Sequence, residues 1–178
     1  MNAAKPGCAR RSLTSGLNVS LRPFRPEDQA AVRALILAGL EERWGTLDAK
    51  RNRDLDDIAA TYAAATILVA VSDSTLSDEV VGTGTLVRRS PQTAEIVRMS
   101  VDVRLRHRGI GRRILAALVA AARGQGYRCV VLETTATWCD AIAFYQQPLT
   151  YVHAGETYTA AFQITHQAQG NVYFALAL

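Results

Sequence analysis

Residues 104–113 read R-L-R-H-R-G-I-G-R-R, five arginines (Arg104, Arg106, Arg108, Arg112, Arg113) set around Gly109 and Gly111. Asp102 is the one acid close by. The apolar positions that follow have helical spacing, so the glycines open a helix. A helix N-terminus carries unpaired N–H groups and a partial positive charge. Glycine lets the backbone approach a ligand closely. A strand that runs into R-x-x-G-x-G and then a helix can therefore cradle a phosphate. The competing reading is a glycine-rich turn with solvated arginines. A dinucleotide fingerprint would need glycine at 114, where Ile114 stands, and no Gly-Lys-Ser/Thr of a Walker loop is present.

The elements that must position this turn follow from patterning. Residues 17–22 alternate as a half-buried strand, and Pro23 and Pro26 end it. Glu27 and Asp28 favour a helix N-terminus. Val32, Leu35 and Ile36 give that helix an apolar stripe, and Gly39 is expected near its end. Asp54 is expected to cap a second helix, Leu55 to Ala64. Residues 67–71, Val80 to Arg88 and Glu95 to Val103 read as strands of a meander, separated by the polar stretch 72–79 and by Ser90-Pro91-Gln92. Ile110, Ile114, Leu115, Leu118, Val119 and Ala122 mark one helix face, which Gly124 and Gly126 terminate. Residues 129–133, C-V-V-L-E, are apolar enough for a strand buried on both faces. Strand, glycine turn, helix and strand make a right-handed crossover with a parallel pair. A short helix over 138–146 ends before Pro148, and strands near 151–157 and 171–178 close the sheet. The expected fold is α/β (α+β), a mixed, mostly antiparallel sheet of six or seven strands with a central parallel pair and flanking helices.

The totals limit the partners. A chain of 178 residues, 49% apolar, holds one domain with a core, assigned to 17–178, preceded by a disordered tail over 1–16. The formal charge is +4, of which residues 1–18 contribute Lys5, Arg10 and Arg11. The body is nearly neutral and lacks interleaved aromatics, which argues against nucleic acid as partner. Cys8, Cys129 and Cys139 have no metal-ligand spacing, and no metal is expected. Their odd, scattered count suits a reducing, cytoplasmic compartment. No apolar run reaches membrane-span length, and the first residues lack the apolar segment of a secretory signal.

The stretch E-I-V-R-M-S-V-D-V-R-L-R-H-R-G-I-G-R-R-I-L, with the later A-I-A-F-Y, resembles the GNAT superfamily of acyl-CoA-dependent N-acetyltransferases. The resemblance runs from the first strand to about residue 151. It implies acetyl-CoA as co-substrate and an amine as acceptor. By that resemblance Arg106, His107, Arg108, Gly109, Ile110, Gly111 and Arg112 cradle the CoA pyrophosphate. Met99, Ser100, Val101, Asp102 and Val103 line the cofactor, Val101 and Val103 pairing with pantetheine through their main chain as if it were an added strand. Trp138 stands where the family commonly has an asparagine that touches CoA, and either packs on the cofactor or belongs to the core. Q-Q-P-L-T-Y replaces the family's usual L-G-F, which alters the 147–151 turn and one wall of the acceptor pocket.

Acetyl transfer needs a neutral amine, an N–H donor for the tetrahedral intermediate and an acid for the leaving thiolate. The resemblance makes Tyr145 the acid; its alternative is an aromatic packing beside Phe144. Glu95, whose spacing to the glycine turn resembles that of the catalytic glutamate in histone-modifying members, and Glu133 are the candidate bases and acceptor contacts. Among apolar residues a glutamate can have a raised pKa. Each is otherwise a strand-end carboxylate paired with an arginine such as Arg98, and ordered water can replace a dedicated base. On the acceptor side Trp44 could cover a substrate and Asp54, Asp56 and Asp57 could attract an amine. The plainer reading has the aspartates serving a helix start and Trp44 closing a small core. The expected activity is acetyl transfer to a small primary amine. A protein lysine or N-terminus as acceptor and a non-catalytic acyl-CoA-binding regulator are the alternatives, and a homodimer is left open.

Overall fold

The computed structural model of the chain describes residues 18–73 and 78–178. The segment expected as a disordered tail, with Cys8, and the centre of the polar stretch 72–79 lie outside the described residues. Strand β1 (Val19–Pro23) leads through a 3-10 turn at Pro26–Asp28 into α1 (Gln29–Trp44). Asp28 organises that entry: its carboxylate accepts from the Arg25 N–H at 2.8 Å and from Arg22 Nη1 and Nη2 at 2.6 and 2.8 Å. The Arg22 guanidinium holds the Asp28 carboxyl below its ordinary pKa, against the opposing effect of burial.

Helix α1 does not end near Gly39. It runs on to Trp44 and stops at Gly45, whose φ is +75° and whose N–H reaches Glu41 O at 2.7 Å. Gly39 serves helix–sheet packing instead: a Cβ there would come within 3.0 Å of Ser100 Oγ, which itself donates to Leu35 O. The second helix is also shorter than expected. Residues Ala49–Leu55 form a 3-10 segment and α2 covers only Ile58–Thr61. Its cap is Asp57, accepting from the Ala60 N–H at 2.9 Å, and not Asp54, which is committed elsewhere.

The main sheet contains β2 (Thr66–Asp73), β3 (Asp78–Arg88), β4 (Thr93–Val101), β5 (Cys129–Thr135), β8 (Gln163–Ala168) and β9 (Asn171–Ala177). Its order is β1-β2-β3-β4-β5-β9-β8, and only β4 and β5 run parallel. The crossover between them is α3 (Ile110–Gly124), whose stripe Ile110, Ile114, Leu115, Leu118, Val119 and Ala122 is buried throughout, as its spacing predicts. Full burial of such a side chain stabilises by about 1.5–3 kcal/mol. Helix α4 (Cys139–Gln146) follows β5. Among the described residues no helix is long and apolar enough to cross a membrane.

Two strand expectations need correction. The segment near 151–157 does not close the sheet. It belongs to a separate hairpin, β6 (Leu149–His153) and β7 (Glu156–Ala160), laid against α3 with Leu149 and Tyr151 buried. Its tight turn uses Ala154 and Gly155, both with positive φ, the geometry that matches strand twist. Strand β5 is not buried on both faces either: Val130, Leu132 and Thr134 point into the core while Glu133 is exposed. The reason is coverage. α3 packs one face of the sheet, whereas on the other face α1 and α2 bury Ile67, Val69 and Val71 of β2 and reach β3 and β4, leaving β5 and β9 open.

Candidate functional site

The site begins where the parallel pair comes apart. Pairing of β4 with β5 stops at Glu95–Val131, yet β4 continues to Val101 and β5 to Thr135. A bulge in β4 causes the divergence. Val97 pairs with Thr85 and Ser100 with Thr83, so Arg98 and Met99 together face Gly84. Arg98 takes a φ of +54°. Gly84 makes room for the bulge, since a Cβ there would lie 2.5 Å from Met99 Sδ. The opened gap is a cleft of about 660 Å³. Met99, Ser100 and Val101 line one edge, Glu133, Thr134 and Trp138 the other, with Ile36, Leu40 and Arg43 of α1 and Phe144 and Tyr145 of α4 contributing walls.

The glycine turn closes one end of this cleft. β4 stops at Val101, short of the expected Val103, because the Asp102 carboxylate accepts from the Arg104 N–H at 2.9 Å and turns the chain into a 3-10 segment. Val103 is 61% exposed in that turn and is not an extended strand edge; only Val101 keeps that position. His107 and Gly109 have φ of +60° and +81°, and α3 starts at Ile110. The first helical bond from the new turn joins Arg113 N to Gly109 O at 3.0 Å, so the N–H groups of Ile110, Gly111 and Arg112 stay free for a ligand. A Cβ on Gly111 would only touch Val101 and Phe144 at 3.4 and 3.6 Å, so its local packing does not require glycine.

The arginines divide their work. Arg104 pairs with Asp102 and Glu79, and Arg113 donates to Val19 O at 2.7 Å. Arg106 is not free: Nε donates to Val101 O at 3.2 Å and Nη1 and Nη2 grip Glu42 at 2.8 and 2.6 Å, tying the end of α1 to the turn. That contact holds the Glu42 carboxyl below its usual pKa. Arg108 and His107 are exposed. Arg112 is the informative one. Its Nη1 is buried without a hydrogen-bond partner at the cleft wall. Buried donors are satisfied in the great majority of folded proteins. An orphan guanidinium N–H on a residue that lines the same cleft as the free helix N–H groups fits an anionic group such as a pyrophosphate.

Tyr145 lines the same cleft. Its ring is enclosed by Phe144, Phe174 and Phe162 at centroid distances of 5.1, 5.7 and 6.3 Å. Burial pushes its hydroxyl up to about 12, with Arg43 opposing weakly. Glu133 lines the cleft and also a smaller hollow of about 170 Å³, shared with Glu95, Arg89, Val131, His166 and Tyr173 on the open face of β5 and β9. Glu95 reaches only the smaller hollow. Its partner is Arg89 at 3.2 Å, not Arg98. Burial raises the Glu95 carboxyl above its ordinary pKa; Arg89 opposes this and Glu133 adds to it.

Trp44 does not close a core. It is 49% exposed and stands 5.3 Å from Trp138, over which Arg43 lies at 4.6 Å. Arg43 grips Asp140 at 3.1 and 2.9 Å, so α1 and α4 are joined at the cleft. Asp54 is taken up by Arg98, whereas Asp56 lies 3.5 Å from Arg33 with most of its side chain exposed. Patterning missed Arg98, Arg43 and Glu42 because their partners lie far along the chain and leave no local signal. Between α4 and β6, Gln147 is extended and Pro148 follows, so the 147–151 turn leads directly into the hairpin. Among the described residues no group of three or more His, Cys, Asp or Glu could hold a metal.

A parallel pair splayed beside a glycine-capped helix N-terminus defines an α/β class with an open cleft between its strands. The chain belongs to the acetyltransferase (GNAT) family, whose profile matches residues 30–151. Solved structures share the fold. An acetyltransferase of the GNAT family from Staphylococcus aureus Mu50 superposes with a TM-score of 0.69 at 17% identity, covering 89% of this chain and 98% of that one. The PaiA N-acetyltransferase from Thermoplasma acidophilum in complex with coenzyme A gives 0.69 at 12% identity, with 91% and 100% covered. A putative acetyltransferase from Salmonella typhimurium with its cofactor acetyl-CoA gives 0.64 at 18% identity, with 90% and 94% covered. Comparison with curated proteins yields no significant match.

Proposed function

We propose that the protein transfers the acetyl group of acetyl-CoA to a primary amine, a small molecule rather than a protein. The observation that carries this reading is the meeting of the orphan Arg112 donor and Tyr145 in one cleft between splayed strands. Fold relatives that hold CoA or acetyl-CoA support the choice of co-substrate. The N–H groups of Ile110, Gly111 and Arg112, with the Arg112 guanidinium, bind the pyrophosphate. The free edge of β4 at Met99 to Val101 pairs with the pantetheine arm. Glu95 or Glu133, directly or through water, takes a proton from the ammonium. The neutral amine nitrogen then attacks the thioester carbon, and the C–S bond breaks as the Tyr145 hydroxyl gives its proton to the departing sulfur. The nitrogen sheds its second proton, directly or through water, to restore the Tyr145 hydroxyl and leave the neutral amide. A hydroxyl raised to about 12 is fully protonated at neutral pH, as an acid must be. The small hollow beside Glu95 and Glu133 favours a compact acceptor.

The test is thiol release from acetyl-CoA with ethylamine, putrescine, 2-phenylethylamine, free amino acids and short peptides bearing a lysine or a free N-terminus. Turnover with a small amine is expected. Turnover confined to peptides would reassign the acceptor. CoA binding without thiol release on any acceptor would make the protein a regulator, and absence of CoA binding would overturn the reading.

A further inference from the structure

The β4 bulge is held from outside the strand. Arg98 adopts a left-handed φ of +54°, a conformation that bulky residues rarely take. Its guanidinium hydrogen-bonds one neighbouring segment. Nε and Nη2 donate to the two Asp54 oxygens at 2.8 and 2.5 Å, and Nη1 donates to Asn52 Oδ1 at 3.1 Å. The Tyr62 hydroxyl donates to the same Asp54 carboxylate at 2.6 Å. Asn52 is 6% exposed and carries the one non-helical φ/ψ pair inside the 3-10 segment Ala49–Leu55. Both partners are therefore shaped around the guanidinium, which is a planar fork suited to two-point binding of a carboxylate.

The bulge decides where the cleft edge lies. Without it, β4 would pair with β3 in a register shifted by one residue beyond Val97, and each following side chain would turn to the opposite face. Met99, Ser100 and Val101 would lose their present orientation toward the cleft, while the helix N-terminus that follows would keep its own free N–H groups. We propose that Arg98 is a positioning residue for acyl transfer: clamped by Asp54 and Asn52, it fixes the bulge and so the aim of the β4 edge at the reacting thioester. This rests on the proposed activity. The clamp acts on the chemical step and not on the phosphates, which bind at the far end of β4. Misplacement of a reacting group by about 1 Å can cost around a hundredfold in rate.

The variants are Arg98→Gln, Arg98→Lys, Asp54→Asn and Tyr62→Phe. The measurements are the CoA dissociation constant, kcat and KM with the best acceptor of the panel above, thermal midpoints, and amide exchange across 48–57 and 97–101. Arg98→Gln and Asp54→Asn are expected to lower kcat at least about tenfold with the CoA dissociation constant within threefold. Their double variant should be no worse than the poorer single, because both remove one interaction. Arg98→Lys, which keeps the charge, should recover part of the rate, and exchange should rise over 48–57 and 97–101 together. Unchanged kcat in the singles, a parallel loss of CoA affinity and kcat, or unaltered exchange in 97–101 would each overturn the proposal. If Arg98→Gln does not fold, Asp54→Asn and Tyr62→Phe carry the same comparison. If the wild type releases no thiol with any amine, the activity itself fails, and exchange in 97–101 still decides the clamp.

Discussion

Tyr145 holds a proton that nothing else in the described structure uses. Its hydroxyl has no hydrogen-bond partner among the described residues, and burial alone lifts its pKa. Removing that oxygen should cost little stability, since no bond is lost. Tyr145→Phe is therefore expected to lower kcat about a hundredfold, in the range of general acid catalysis, while the CoA dissociation constant measured by calorimetry stays nearly constant. The carboxylates give a second, signed prediction. A base works only when deprotonated, so kcat/KM falls as pH drops through its pKa. For Glu95 that midpoint lies above the ordinary glutamate value because of burial and the nearby Glu133, and Arg89 holds it down. Arg89→Ala should move the acid limb of the pH profile upward and Glu133→Gln should move it downward. An unmoved limb in both removes Glu95 from the mechanism, and loss of turnover in Glu133→Gln alone makes Glu133 the base. The glycine turn was legible from sequence because its chemistry is local: three free N–H groups follow from a helix start. The arginine assignments were not, because Glu42, which occupies Arg106, sits 64 residues away. Only the finished fold shows that, among the described residues, Arg112 holds a buried side-chain nitrogen without a partner.

At the level of elements, the site depends on a strand that stops pairing. The helical stripe of α3 was readable and stands where patterning puts it, whereas β4, read as Glu95 to Val103, is Thr93–Val101, two residues earlier at each end. The bulge was not readable, because it compensates for space left at Gly84 on another strand. That dependence can be tested. A Cβ at Gly84 would meet Met99 Sδ at 2.5 Å and Ile114 and Leu118 at 2.9 Å. Gly84→Ala should thus destabilise by about 1–3 kcal/mol in urea unfolding, the usual cost of overpacking. Adding Met99→Ala should recover part of the loss, because the nearest clash is with that side chain. Independent, additive effects would mean that Gly84 and Met99 are not packed as described. The hairpin β6–β7 makes the same point from the other side. Leu149 and Tyr151 have the alternation of a sheet strand, and only the packing partner, α3 in place of a neighbouring strand, separates the two cases.

Across the whole molecule, the cleft is where two apolar clusters on opposite faces of the sheet come closest to parting. One gathers α3, α4 and the β5–β9 side, the other α1 and α2 over β2. Across the opening they are joined by two ion pairs, Arg106–Glu42 and Arg43–Asp140. Partly exposed pairs of this kind contribute only about 0.2–1 kcal/mol each. A ligand spanning the gap adds a much larger link. At a CoA concentration about a hundredfold above its dissociation constant, linkage gives about 2.7 kcal/mol, which for a domain of this size is a rise of roughly 5–10 °C in the thermal midpoint. Arg112 sets the sign of a paired comparison. Without ligand, its buried guanidinium N–H is unsatisfied and costs stability, so Arg112→Ala should melt no lower than the wild type. With CoA at the same concentration the variant should gain much less, because the donor proposed for the pyrophosphate is gone. Differential scanning fluorimetry on both proteins, with and without CoA, reads all four values. An Arg112→Ala variant that loses stability without ligand and keeps the full CoA shift would mean that this arginine belongs to the core and not to the anion site.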